Sequence, residues 1–169
     1  VAVLMGVAAV TSMWISNTAS ILMLMPVALA VLATCSDRNS LAAPLLLGLA
    51  WSCSIGGLGT PIGTPPNLIL VQVYEANTAQ TISFGQWMSW GMPVVLTLLP
   101  LAWWWVTRAV PSELDIQVPA VGPWRSAERR VLVVFGLTAV AWITRAEPFG
   151  GWQRWLDLPA ANDASVALL

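Results

Sequence analysis

Residues 54–67 read SIGGLGTPIGTPPN, a stretch of fourteen residues with four glycines and three prolines. This composition excludes a continuous helix, because proline removes a backbone donor and glycine has a low helix propensity. The stretch lies within residues 39–74, which carry no charge, so we predict a membrane helix that is interrupted in its interior. In hydrocarbon, the backbone groups freed by such a break need partners from protein or water, so breaks of this kind usually line a site.

A second polar break, Ser16-Asn17-Thr18, lies in another charge-free run, residues 1–36. This run is too long for one membrane span and too short for two, which predicts a re-entrant helical hairpin with its tip at 16–18. Ser12 precedes Ser16 by four residues, and on a helix the two would share a face. Small polar residues before an apolar run cap a helix and leave free N–H groups for an anion, while their neutral oxygens suit an alkali cation.

The composition restricts the class of protein. The 169 residues are 57% hydrophobic and only 9% charged, with a mean hydropathy of +0.75, which indicates an integral membrane protein of the all-α class. A net charge of −1 gives no basic field for nucleic acid. Without histidine, and with two isolated cysteines, a zinc site or a histidine-based catalytic site is excluded, and no organic cofactor motif is present. We therefore expect neither an enzyme nor a nucleic-acid partner.

Charges and breaks divide the chain into five predicted segments. They are a re-entrant hairpin at 1–36, a broken transmembrane helix at 39–76, a transmembrane helix at 87–108, a loop at 109–130 and the start of a further unit at 131–169. Five of the seven arginines fall on the side of the loop, which predicts that the loop is cytoplasmic. The tryptophans at 87, 90 and 103–105 are interpreted as interfacial anchors. Both ends of the sequence lie in apolar patterns, so we expect a piece of a longer protein.

Each break has a simpler interpretation when it is taken alone. Ser16-Asn17-Thr18 is often only a helix cap, and Gly59-x-x-x-Gly63 is often a site of tight helix packing. Two interrupted helices in adjacent segments, however, are the sequence pattern typical of a transporter binding site.

At these residues the sequence resembles the divalent anion:sodium symporters, which carry di- and tricarboxylates or sulfate. The resemblance rests on Ser12 with Ser16-Asn17-Thr18, and on Gly-Gly-x-Gly-Thr-x-x-Gly-Thr-Pro-Pro-Asn at residues 56–67. It implies a multi-pass, homodimeric, elevator-type transporter in the bacterial inner membrane, in contact with membrane lipid. The family is built from inverted repeats, so residues 131–169 would open a second, truncated repeat.

The resemblance also implies roles for individual residues. A sodium site would use Ser12, Ser16, Asn17 and the carbonyl of Gly59. Substrate carboxylates would meet Ser16, Asn17, Thr18 and Thr60. A supporting loop would contain Gly56, Gly57, Gly63, Thr64, Pro65 and Asn67.

The charge-free surroundings of both breaks agree with such a function. An anion there must be neutralised by helix ends and by bound cations, which couples anion binding to sodium. We therefore expect sodium-coupled transport of a small dianion, most simply a four-carbon dicarboxylate. The alternatives are sulfate, citrate or another oxyanion as cargo, coupling to protons or exchange without net cation movement, or a membrane scaffold that does not transport.

Overall fold

The computed structural model describes residues 1–111, 124–145, 151–158 and 165–166. Most of the predicted loop, residues 112–123, and parts of the predicted second repeat lie outside these residues. Within them the secondary structure is helical, which confirms the predicted all-α class. The helices are α1 (Ala2–Ser12), α2 (Asn17–Ala33), α3 (Arg38–Gly56), α4 (Pro65–Thr78), α5 (Phe84–Thr107), α6 (Ser126–Ile143) and α7 (Gly151–Trp155).

The first three helices form the core of the chain. Helices α1 and α2 are joined by residues 13–16, contact each other, and both pack against α3. Their shared contact is apolar, and within a membrane such a contact is stabilised mainly by close van der Waals packing, because lipid tails are as apolar as these side chains. The buried cluster comprises Ala8, Leu24, Ala28, Leu32, Leu41, Leu45, Leu49 and Cys53. This packing brings the turn between α1 and α2 close to the carboxyl end of α3.

Helices α3 and α4 are separated by residues 57–64, which are not helical. Asp37 caps the start of α3, where its carboxylate accepts hydrogen bonds from the Ser40 hydroxyl at 2.5 Å and the Ser40 N–H at 3.3 Å. The hydroxyl bond first, and then the N–H bond, hold the pKa of Asp37 below its ordinary value. Helix α4 starts at Pro65, where a fixed φ and a missing N–H suit the first turn.

Two of the described helices, α3 and α5, are long and apolar enough to cross a membrane by length and composition. Helices α1 and α2 are apolar but shorter, with 11 and 17 residues. Near the end of α5, the guanidinium carbon of Arg108 lies 3.7 Å from the centre of the Trp105 ring. A cation stacked on an indole is a favourable contact for a helix end at a membrane surface.

The chain divides into two compact units, residues 1–82 with 87–119, and residues 83–86 with 120–169. In the second unit α6 begins at Ser126, five residues before the apolar run, so the prediction of a loop through residue 130 is wrong there. The carboxylate of Glu128 accepts a hydrogen bond from the Arg125 N–H at 3.0 Å. This contact satisfies a donor at the helix start and places a negative charge at its positive end, which explains the earlier start.

Candidate functional site

Ser12 lies where the two helix breaks meet. Its hydroxyl oxygen is 2.6 Å from Asn17 Oδ1 and 2.7 Å from the carbonyl oxygen of Cys53, and the residue is fully buried. A hydroxyl has one hydrogen, so it donates a full hydrogen bond to only one of these two acceptors. Three neutral oxygens from three segments therefore lie together in a buried place. Hard, neutral oxygens of this kind are the ligands that an alkali cation would take.

Asn17 is the first residue of α2, and its amide faces the second break. A Cβ atom added to Gly57 would lie 2.6 Å from Asn17 Oδ1, so only glycine allows this approach. Asn17 is partly buried and contacts Ser12 on one side and the backbone of Gly57 on the other. The structure thus brings the predicted cation ligands Ser12 and Asn17 together with the supporting residue Gly57.

The remaining polar residues of the hairpin tip lie at its surface. Ser16 and Thr18 are exposed, and the Ser16 hydroxyl accepts a hydrogen bond from the Ala19 N–H at 3.3 Å. The prediction that Ser12 and Ser16 share a helix face is wrong, because α1 ends at Ser12 and Ser16 is the N-cap of the next helix. The two serines therefore belong to different helices, with the turn between them.

Thr60 connects the second break to the hairpin tip. Its hydroxyl donates a hydrogen bond to the carbonyl of Met13, and the residue is fully buried. In this arrangement the hydroxyl has no hydrogen left for a substrate carboxylate, so contact with a carboxylate would require the hydrogen bond to Met13 to be given up. Thr60 is thus placed beside the predicted site, where it ties the two breaks to each other.

Asn67 closes the second break from the side of α4. Its amide nitrogen donates to the carbonyl of Gly57 at 2.8 Å and to the carbonyl of Thr60 at 2.9 Å, and the residue is only 5% exposed. Both carbonyls lack a helical partner because the helix is interrupted. Within the described residues Asn67 is the sole hydrogen-bond donor to the Gly57 carbonyl, whereas the Thr60 carbonyl also accepts from the Gly63 N–H at 3.4 Å.

The glycines of the supporting loop differ in how much room they have. A Cβ atom would lie 2.2 Å from the Ala9 carbonyl oxygen at Gly56 and 2.5 Å from the Gly57 carbonyl oxygen at Gly63. At Gly59 the nearest atoms would be the terminal carbon of the flexible Met13 side chain at 3.1 Å and the Gly56 carbonyl oxygen at 3.2 Å, both farther away than the closest atoms at Gly56 and Gly63. The tight positions are therefore set by backbone, and Gly59 is the least restricted of the loop.

Only some of the carbonyl groups at the break accept hydrogen bonds within the described residues. Gly56 accepts from the Gly59 N–H at 2.8 Å, and Leu58 accepts from the indole nitrogen of Trp87 at 3.0 Å. Asn67 satisfies Gly57 and Thr60, as described above. Within the described part of the chain, the Gly59 carbonyl accepts no hydrogen bond. This is the carbonyl that the family resemblance assigns to sodium.

Two hydrogen-bonding groups at this site were not predicted from the sequence. The Cys53 carbonyl is a backbone group, and nothing in the residue type signals that it faces Ser12. Trp87 was interpreted only as an interfacial anchor, whereas its indole N–H reaches the break. A tryptophan at a helix start is common at membrane surfaces, so the sequence carries no signal for this second role.

Replacing Asn67 by leucine is expected to destabilise the protein strongly. A buried carbonyl left without a partner costs about 1–3 kcal/mol; this change leaves the Gly57 carbonyl unpartnered and the Thr60 carbonyl with only the long bond from the Gly63 N–H. The matched control is Asn77→Leu on the same helix, where the amide donates to Val73 at 2.7 Å but the residue is exposed. Thermal unfolding of the full-length protein in detergent measures both. Equal unfolding midpoints for the two variants would contradict the role of Asn67.

Most of the chain, including both helix breaks, is similar to known transporters. The sequence model of the citrate transporter family matches residues 1–153. The sodium-dependent dicarboxylate transporter SdcS of Staphylococcus saprophyticus is 32% identical over 178 aligned positions, which cover 93% of this chain and 34% of that protein. The protein of the same name from Staphylococcus aureus is 30% identical over 179 positions, with the same coverage. The chain spans about a third of the length of these curated relatives.

Proposed function

Because the chain belongs to the citrate transporter family, we propose that it forms part of a membrane transporter that carries a small carboxylate together with sodium. Two relatives named sodium-dependent dicarboxylate transporters support both the coupling ion and the class of cargo. We propose a four-carbon dicarboxylate such as succinate as the substrate. We further propose that the protein is a homodimer of multi-pass subunits in a bacterial inner membrane, in contact with lipid.

The observation that carries this proposal is the meeting of the two helix breaks at Ser12. Its hydroxyl, the Asn17 amide oxygen and the Cys53 carbonyl lie within hydrogen-bond distance, and all three are uncharged. Residues 1–36 and 39–74, which supply them, contain no charged side chain. A dianion bound here is therefore compensated by helix ends and by cations, so its binding depends on sodium.

The proposed residue roles are those that the family resemblance implies, and the contact between Ser12 and Asn17 supports them. Sodium would be held by oxygens of Ser12, Ser16, Asn17 and the Gly59 carbonyl. The carboxylate would meet Ser16, Asn17 and Thr18 at the start of α2, where the first N–H groups lack helical partners. Asn17 serves both sites in this proposal. A cation on its oxygen would hold the amide in place, with its nitrogen available to the anion.

Citrate is the second candidate cargo, because the matching family is described as a citrate transporter. Citrate carries a third carboxylate and needs more room than succinate. Its charge and size therefore distinguish the two in a competition experiment.

Uptake of labelled succinate, and in parallel of labelled citrate and labelled sulfate, into liposomes containing the full-length protein tests the proposal. We expect uptake with an inward sodium gradient and none when choline replaces sodium. Unlabelled succinate should compete more effectively than citrate or sulfate. If citrate or sulfate competes more effectively, that anion becomes the proposed substrate, and the proposal of a sodium-coupled transporter stays. Uptake that follows a proton gradient without sodium would contradict the coupling ion. Absence of uptake of all three anions would contradict transport and favour a scaffold.

A further inference from the structure

Two residues of α5 contact one peptide group of the second break. The indole nitrogen of Trp87 donates to the carbonyl of Leu58 at 3.0 Å. One turn later, a Cβ atom on Gly91 would lie 2.5 Å from the same Leu58 oxygen and 3.2 Å from the Gly59 carbonyl oxygen. Trp87 and Gly91 are four residues apart, so they lie on the same face of the helix. This face of α5 therefore abuts the Leu58–Gly59 peptide.

The side chains around Trp87 are largely apolar. Its ring forms part of the wall of an apolar cavity of about 360 Å³, lined by Leu58, Leu70, Tyr74, Ile82, Trp87, Trp90, Gly91 and Val94. An indole N–H in apolar surroundings has few competing acceptors, and a carbonyl freed by a helix break has few competing donors. The rigid indole thus holds the Leu58 carbonyl in a defined direction.

Fixing the Leu58 carbonyl also restrains the neighbouring Gly59 carbonyl. The peptide groups between Leu58 and Thr60 are planar, so only the φ and ψ angles at Gly59 separate their orientations. Glycine by itself leaves those two angles nearly free, and here they are limited by the hydrogen bond from the Gly59 N–H to the Gly56 carbonyl and by the contacts with α5. Within the described residues the Gly59 carbonyl accepts no hydrogen bond, so its direction is set by its neighbours.

We propose that Trp87 is a positioning residue for the cation site: together with Gly91, it orients the Leu58–Gly59 peptide so that the Gly59 carbonyl can coordinate sodium. Trp87 does not touch the ion in this arrangement. It acts through the backbone of the break, and Gly91 allows α5 to come close enough for that contact. The proposal rests on the proposed sodium-coupled function.

The test replaces Trp87 by phenylalanine in the full-length protein in liposomes. This change keeps an aromatic ring and removes the N–H donor. We expect the sodium concentration for half-maximal uptake to rise about three- to tenfold, which corresponds to the loss of one hydrogen bond. The maximal rate at saturating sodium should stay within about twofold of the wild type, because the substrate residues are unchanged. The matched control, Trp90→Phe, loses an indole at the same cavity and should leave the sodium dependence unchanged.

A binding measurement covers the case in which uptake is lost altogether. Sodium should raise the thermal unfolding midpoint of the wild type in detergent, relative to choline, and higher sodium should be needed for the same rise in Trp87→Phe. Gly91→Ala, which pushes against the Leu58 carbonyl, should shift the sodium dependence in the same direction. An unchanged sodium dependence in Trp87→Phe, with a sodium-dependent wild type, would overturn the positioning role. A wild type that shows no sodium dependence would instead overturn the proposed function on which it rests.

Discussion

Replacing Asn17 by alanine is expected to abolish sodium-dependent uptake while the full-length protein still inserts into the membrane. The change removes the amide oxygen that lies 2.6 Å from Ser12, together with a proposed ligand of both sodium and substrate. Ser12 keeps its hydrogen bond to the Cys53 carbonyl at 2.7 Å, so the hairpin stays attached to α3. Loss of an outer partner of a metal site already weakens binding about 10–100-fold, and loss of a ligand should exceed this.

The measurement compares initial rates of succinate uptake over a range of sodium concentrations, with the amount of inserted protein determined in parallel. Asn39→Ala is the matched control, because Asn39 is exposed at the start of α3, away from both breaks. We expect wild-type sodium dependence for this control. Normal sodium-dependent uptake by Asn17→Ala would remove Asn17 from the site.

Replacing Gly56 by alanine is expected to have the largest effect on stability among the loop glycines. The new Cβ atom would lie 2.2 Å from the carbonyl oxygen of Ala9 and 2.6 Å from its Cα atom. These are backbone atoms in the middle of α1, so the conflict is relieved only if α1 and α3 move apart. Overpacking of a core usually costs about 1–3 kcal/mol, and a backbone clash should reach or exceed the upper value.

Separation of α1 from α3 would also break the contact between Ser12 and the Cys53 carbonyl, so uptake should be lost together with stability. The control is Gly6→Ala on α1, where nothing lies within 4 Å of the added atom. Alanine in an open helical position should stabilise by about 0.5–1 kcal/mol. Thermal unfolding in detergent measures both variants. A Gly56→Ala protein as stable as Gly6→Ala would show that α1 and α3 do not pack as described.

The contrast between Gly56 and Gly59 shows that the sequence predicts where the helix is interrupted but not which glycine is tightly packed. Both glycines stand in a stretch that excludes a continuous helix, and the family resemblance gives a binding role to the carbonyl of Gly59 and only a supporting role to Gly56. The structure shows that Gly59 faces the flexible end of Met13, whereas Gly56 faces the backbone of α1. A glycine is restricted by what packs against it, and residue order does not contain that information. We therefore expect a smaller loss of stability for Gly59→Ala than for Gly56→Ala.

The polar groups of the candidate site also fall into two sets: those that the local sequence locates and those that only helix packing brings to the site. Ser16 and Thr18 lie at the exposed start of α2, as a polar triplet before an apolar run predicts, because capping is a local interaction. The Cys53 carbonyl and the Trp87 indole were not assigned to the site, since they reach it across 41 and 29 residues of chain from Ser12 and Leu58. Contacts at such separations depend on helix packing, which the individual residue types do not encode.

What the amino-acid sequence establishes here is local or compositional. Charge-free apolar runs require a membrane environment, and the glycines and prolines of residues 54–67 interrupt a helix whatever surrounds them. Tertiary packing decides which oxygens meet. The contact of α1 with α3 places Ser12 against the Cys53 carbonyl, the turn between α1 and α2 brings Asn17 to Ser12, and α5 places Trp87 on the carbonyl of Leu58. Helix breaking is a property of each residue's own backbone, whereas a binding site needs groups from separate helices, and their distances are set only when the helices pack.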